Sequence, residues 1–427
     1  MNVSRSALSV AAAVVLCAAS APAAVAAPSP TPSAKAPAAL YGEQDPTYDG
    51  VWRQSLALVA LDAAGVRPAT SAVGWLTEQS CDNGAYAPYR ANTSGDCGPK
   101  ERVQSDVTGA AVQALAAVGG HRAEIDKSVA WLKSTQNKDG GWGLNPGLPS
   151  DANSTATVIG ALAAAGQKPA EVTSGKDKSP YDALLAFALP CDKGEDKASR
   201  TGGTDKDPGG TDKGAAFAYQ PDKKGELAAN ADATAAATTA GFGQGFVVSP
   251  AKKAMSGTEC AKPGSAREAA HNGALYLSGA LAKDGHLMSS MPGAEAQPDI
   301  GNTADAVVAL GAAGLTDKSA KPVAWLKKNG EKWADQAGPA AWSELVLAAR
   351  ASGADPRDFG GTDLVAALKA TGPAPEAKAD TSADSDKDKK DDKGGGANVW
   401  WMIVVGLAAG AGIGFLLSSR NKNKPRL

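Results

Sequence analysis

The chain has 427 residues, is 43% hydrophobic and carries a formal net charge of −2. That length can bury a large core, and the near-neutral balance argues against a nucleic-acid partner. Aromatics make up only 5% and alanine is abundant, which suits closely packed helices better than sheets.

Residues 1–26 read as an export signal. Arg5 precedes an apolar run over 7–19, and Ala24-Val25-Ala26 offers a small-residue cleavage site. Leu16 stands where a lipoprotein signal would need a small residue before Cys17, so no lipid anchor is expected there. Residues 27–47 form a Pro/Ala-rich linker.

Residues 48–371 repeat. One set of segments reads as Ala-rich helices ending at Gly65, Gly119, Gly166, Gly245, Gly314 and Gly353. Eleven residues upstream stand Gln54, Thr108, Thr155, Thr234, Thr303 and Trp342. The next position holds Ser55, Gly109, Ala156, Ala235, Ala304 and Ser343, all small, so a neighbouring helix passes close there. A second set alternates with the first. Its clearest members are Val73-Gly74-Trp75-Leu76, Val129-Ala130-Trp131-Leu132 and Val323-Ala324-Trp325-Leu326. Weaker copies lie at 183–189, 274–281 and 364–369. Turns follow at Asn83-Gly84-Ala85-Tyr86, at 139–142, at Gly214-Ala215-Ala216-Phe217 and at Asp284-Gly285-His286; the fifth, near Trp333, is degenerate.

The pattern Trp131-Leu132-x3-Gln136-x3-Gly140-x-Trp142 resembles the QW motif of squalene and oxidosqualene cyclases, where the Gln holds a helix end and the Trp packs in the loop. The whole repeat region resembles the prenyltransferase/squalene oxidase (terpene cyclase-like) repeat family. That resemblance implies an all-α fold, an (α/α)6 toroid of about six helical hairpins. It places the Thr/Ala-type helices in an inner ring and the Trp-Leu helices in an outer one. The starts of the inner helices would then surround one mouth of a central cavity.

Four cysteines remain after the signal: Cys81, Cys97, Cys191 and Cys260. An even count in an exported chain favours disulfides. Of the three connectivities, the shared Gly/Asn/Asp-rich loop of Cys81 and Cys97 favours 81–97 with 191–260. Residues 192–213 are a polar insertion without core-forming residues. Residues 372–398 read as a charged, disordered tether, 399–417 as an uncharged single transmembrane helix, and 418–427 as a basic cytoplasmic tail. Gly406, Gly410 and Gly414 form a GxxxGxxxG face that permits homodimer pairing within the membrane.

Catalytic signatures are sparse. The acid segment of class II terpene cyclases, Asp-x-Asp-Asp-Thr-Ala, is matched only in part by Asn230-Ala231-Asp232-Ala233-Thr234-Ala235, which leaves Asp232 as the one weak catalytic candidate. His121, His271 and His286 lie in no Cys/His cluster, so no metal or other cofactor is expected. No Cys-Gly-Glu-Gln thioester occurs. Asp106, Asp151, Asp232, Asp305 and Glu344 all fall near inner-helix starts, which keeps two-carboxylate chemistry open. The sequence therefore points to a non-catalytic ligand-binding module at the cell surface. Its expected mouth contacts are Asp106, Thr108, Ser154, Asp232, Thr234, Asn302 and Asp305, and its partner is a small molecule or a surface protein. The alternatives are a cyclase-like enzyme with a degenerate acid motif and a protein-interaction scaffold.

Overall fold

A computed structural model describes residues 36–99, 101–191, 214–251, 256–289 and 296–375. All of these lie in one compact unit, residues 1–377. The export signal, the 192–213 insertion, the 399–417 span with its Gly406, Gly410 and Gly414 face, the basic tail and most of the tether lie outside the described residues. Among the described residues, no helix is long and apolar enough to cross a membrane.

The all-α expectation holds. The described residues form twelve α-helices: α1 (Gly50–Ala63), α2 (Thr70–Glu78), α3 (Ser105–Val118), α4 (Arg122–Ser134), α5 (Ala152–Ala164), α6 (Pro180–Ala186), α7 (Ala231–Gly241), α8 (Ala266–Ala282), α9 (Ile300–Ala312), α10 (Ala320–Ala337), α11 (Pro339–Ser352) and α12 (Leu364–Ala370). One short antiparallel pair, β1 (Leu287–Ser289) with β2 (Gln297–Asp299), precedes α9.

The odd and even helices differ in how they are covered. Every residue of α3 from Val107 to Leu115 is buried, so this helix has neighbours on all sides. By contrast α10 buries only Pro322, Leu326, Gly330 and Ala334, a single stripe at four-residue spacing. The odd helices touch in sequence order, α1 to α3, α3 to α5, α5 to α7, α7 to α9 and α9 to α11, and α11 packs back on α1. The even helices pack on this closed cycle of contacts from alternate positions along the chain.

The recurring threonine has one job in four repeats. Thr108 Oγ1 accepts the N–H of Tyr86 at 3.0 Å, and Thr155 Oγ1 that of Trp142 at 3.1 Å. Thr234 accepts from Phe217 at 2.9 Å and Thr303 from Leu287 at 3.0 Å. Each hydroxyl thus ties the first turn of an odd helix to the loop leaving the preceding even helix. The same loops carry a glycine that lies against the next even helix. A Cβ on Gly84 would stand 2.5 Å from the Lys127 carbonyl carbon in α4, at a φ of +85° that already disfavours a side chain. Gly140 lies equally close to Ser179, the N-cap of α6, and Gly214 to Tyr276 in α8.

The two positions without threonine follow from the same rule. In α1 the residue is Gln54, whose Oε1 accepts the N–H of Tyr41 at 2.9 Å. Tyr41 is fully buried, and the neighbouring Gly42 N–H donates to Thr371 O at 2.7 Å. Residues 36–47 therefore belong to the packed unit rather than to the linker expected over 27–47, because they supply the loop missing after α12. In α11 the residue is Trp342, and there is no loop to hold. The segment near Trp333, expected as a degenerate turn, is helix: α10 runs through it to Ala337.

Helix ends follow the expected glycines at Gly65, Gly119, Gly166, Gly314 and Gly353, each at positive φ. The fourth is a correction. The positive-φ glycine after α7 is Gly243, not Gly245, and α7 has 11 residues where α3 has 14. Both disulfides form as the loops suggested, Cys81–Cys97 with Cα atoms 5.2 Å apart and Cys191–Cys260 at 5.7 Å.

Thr108→Val keeps the shape of the side chain and removes the acceptor for a buried backbone N–H. Urea denaturation should show a loss of about 1–3 kcal/mol. An exposed control such as Thr173→Val, between α5 and α6, should change stability by less than about 0.5 kcal/mol.

Candidate functional site

Seven residues are close to two helical turns, so residues seven apart share a face. A pocket of about 380 Å3 is lined by Val59 and Asp62 of α1, Gln113 and Ala117 of α3, and Gly160 and Ala164 of α5, among others. These residues mark the inward faces at the C-terminal ends of the odd helices. Seven residues earlier on the same faces stand Trp52, Asp106 and Asn153, close to the helix starts. Asn153 Nδ2 donates to Asp232 Oδ2 on α7 at 2.6 Å. The negative charge of Asp232 in turn acts on Asp305 of α9 and on Glu344 of α11. A layer of polar side chains from five odd helices, with Trp52 from the sixth, thus faces inward at the end where those helices begin.

Hydrogen bonds from Val107 N–H to Asp106 and from Asn153 to Asp232 relieve this layer only in part. Burial pushes Asp106 up to about 6, and the charge of Asp151 adds to the shift. Burial also raises Asp232, although the Asn153 amide partly offsets it. Glu344 is pushed up to about 7 by burial, with Asp232 and Asp299 adding repulsion. Asp305 is raised well above the usual carboxylate range by burial, then by Glu344, Asp232 and Asp299. No cationic side chain among the described residues offsets any of the four. Asp305 and Glu344 are enclosed enough to lose hydration yet each keeps a partly exposed surface, as groups lining a recess do. Glu344 Oε2 lies against Gly301 of α9, where an added Cβ would be 3.3 Å away.

The expected mouth contacts divide. Asp106, Asp232 and Asp305 face the recess. Thr108 and Thr234 use their hydroxyls on the loops, accepting from Tyr86 and Phe217 and donating to Gln104 O and Asn230 O at 2.6 Å each. Ser154 donates from its N–H and hydroxyl to Asp151, the buried N-cap of α5, at 2.7 and 2.9 Å. Asn302 likewise bonds through its N–H and Nδ2 to Asp299, the N-cap of α9. Trp52, Asn153 and Tyr219 were not marked by sequence. Tyr219 donates its hydroxyl to Asp151 at the rim, and its own ionisation is pushed up to about 12 by burial and then by Asp151 and Asp106. A seven-residue step back from each glycine-ended segment's inward positions would have marked Trp52 and Asn153; nothing in the sequence marks Tyr219.

At the end of α7 away from Asp232, residues 243–248 run across the inward faces of α3 and α5. Phe246 N–H donates to Gln113 Oε1 of α3 at 2.8 Å. Gly245 lies directly on Gly160 of α5. The Phe246 ring meets Trp52 of α1 edge-on, with centroids 5.6 Å apart and planes at 84°. Trp52 stands at the level of Asp106 and Phe246 is held at Gln113, so the ring pair bridges the two levels.

No three His, Cys, Asp or Glu among the described residues are arranged to hold a metal ion.

Protonation of Glu344 links the recess to stability. Its folded value lies above its unfolded value of 4.5, so the folded state holds the proton longer. The contribution of Glu344 to stability is greatest below about pH 4.5, falls as pH rises toward about 7, and is level above that. Thermal unfolding should show the wild type losing about 2 kcal/mol across this window. Glu344→Gln should remove this share of the loss, leaving a shallower profile, and be the more stable protein at pH 8.

No protein-family model matches the chain, and no characterised protein matches it in sequence.

Proposed function

We propose that the chain is an exported, membrane-anchored α/α toroid of the prenyltransferase/squalene oxidase repeat type, with its C-terminus cytoplasmic, that captures a cationic small molecule at the cell surface without transforming it. The closed cycle of contacts among odd helices supports the toroid, and the two disulfides accord with an oxidising exterior. One observation carries the ligand class: Asp106, Asp232, Asp305 and Glu344 stand on the inward side of four different helices, each shielded from water and repelled by a neighbouring carboxylate, with no described cation offsetting them. Buried carboxylates without partners are costly, and a bound cation removes that cost. Trp52 offers a ring face for an organic cation. The spread of the acids over four helices suits a charge distributed over a molecule better than a compact metal ion.

A scaffold with a plugged interior is the second reading, favoured by the Trp52–Phe246 pair that bridges the two levels. Calorimetric titration separates the two. Tetramethylammonium and spermidine should bind at pH 8, about tenfold more weakly at pH 5, and not at all to an Asp305→Asn/Glu344→Gln protein. Equal binding of neutral or anionic analogues, or no binding with capture of a defined surface protein instead, would argue for the scaffold.

A further inference from the structure

We infer that residues 243–248 are a displaceable floor, closed in this structure, whose movement joins the acid recess to the pocket at the opposite ends of the odd helices. The inference rests on the recess reading for its ligand, a cation carrying an apolar chain, but its structural half stands on separate observations. The segment exists because α7 stops early, at Gly241, and its glycine turn comes at Gly243. Chain that would have been a further part-turn of helix is thereby diverted inward.

Its attachment is light. The amides of Gly245, Val247 and Val248 have no hydrogen-bond partner among the described residues, and Phe246 N–H is held by one side chain, Gln113. Gly243 and Gly245 give the backbone room to swing. What lies behind it is space. The pocket of about 380 Å3 has Gln244, Gly245 and Val247 as one wall and Val59, Ala116, Ala117, Ala163 and Ala164 among the others. That volume is within the range of small-molecule sites, and its walls are mostly apolar. Phe246, next to the Gly245 wall and bonded to Gln113, carries its ring toward Trp52, which stands at the level of the carboxylates. A ligand with a cationic head among Asp106, Asp232, Asp305 and Glu344 would direct an apolar chain onto Phe246, and a swing of the segment would let that chain through.

The Gly160–Gly245 approach supplies the test. A Cβ on residue 160 would stand 2.7 Å from Gly245 Cα, so Gly160→Ala wedges the floor away. Gln113→Leu removes its one side-chain anchor without that added atom and covers the case of a poorly folded Gly160→Ala protein. Amide exchange should show residues 245–248 opening at least about 100-fold faster than the centre of α3 in the wild type, and about tenfold faster again in either variant. Decyltrimethylammonium should bind either variant about tenfold more tightly than wild type, while tetramethylammonium binds all three alike. Exchange of 245–248 as slow as that of α3 in every protein, or a decyl affinity unmoved by both variants, would overturn the floor. Fast exchange with neither ammonium bound would support a mobile floor and overturn the cationic recess instead.

Discussion

A threonine hydroxyl accepting one backbone N–H is the contact on which the other features of this unit depend. Without it, each hairpin of helices would meet its neighbour through alanine faces that could slide past one another. With it, the first turn of each odd helix is fixed against the loop before it. The motif glycine then seats that loop on the following even helix. Three successive elements are locked by two local features, and the lock recurs around the cycle. The closing step uses Gln54 and Tyr41, a longer acceptor reaching the segment just before α1, which is itself bonded to the end of α12 through Gly42 and Thr371. Asp106, Asp232 and Asp305 inherit their positions from this arrangement, because each stands two residues from a threonine pinned to its loop; Glu344, on α11, has no such pin.

The same contact explains what could be read from the sequence. The alternation of helix types, the turn glycines and the small residues were legible because each answers a steric demand that only a few residue types meet. The role of the threonines was not. Thr108 and Asp106 sit two positions apart, which is about 200° around a helix, so a residue on the loop side and one on the cavity side look like neighbours in the sequence. The same offset separates Thr234 from Asp232 and Thr303 from Asp305. Trp342 was readable as an exception but not as the mark of a missing loop, since that needs α10 to be seen running on past Trp333. The early stop of α7 was hidden because Gly241, Gly243 and Gly245 all offer a helix end, and only backbone φ separates them.

The recess shows how far repetition and function can part. Nothing in the hairpin lock requires a carboxylate facing inward, and α5 has Asn153 at that place while α1 has Trp52. The inward layer is therefore free to vary while the loops are not. The acids gathered there oppose folding, since each must give up hydration without an opposing charge. Their cost is borne by a core of odd helices that are buried almost throughout.

The Cys191–Cys260 bridge has a consequence for how the fold would tolerate a cut in its chain. The bond closes a stretch of chain with a sequence separation of 69 residues, and that stretch holds the polar insertion 192–213, α7 and the floor segment. A single nick anywhere between the two cysteines would leave both halves covalently joined. The damage would be invisible by size until the bridge was reduced, and the helices on either side would stay in register while the loop between them was open.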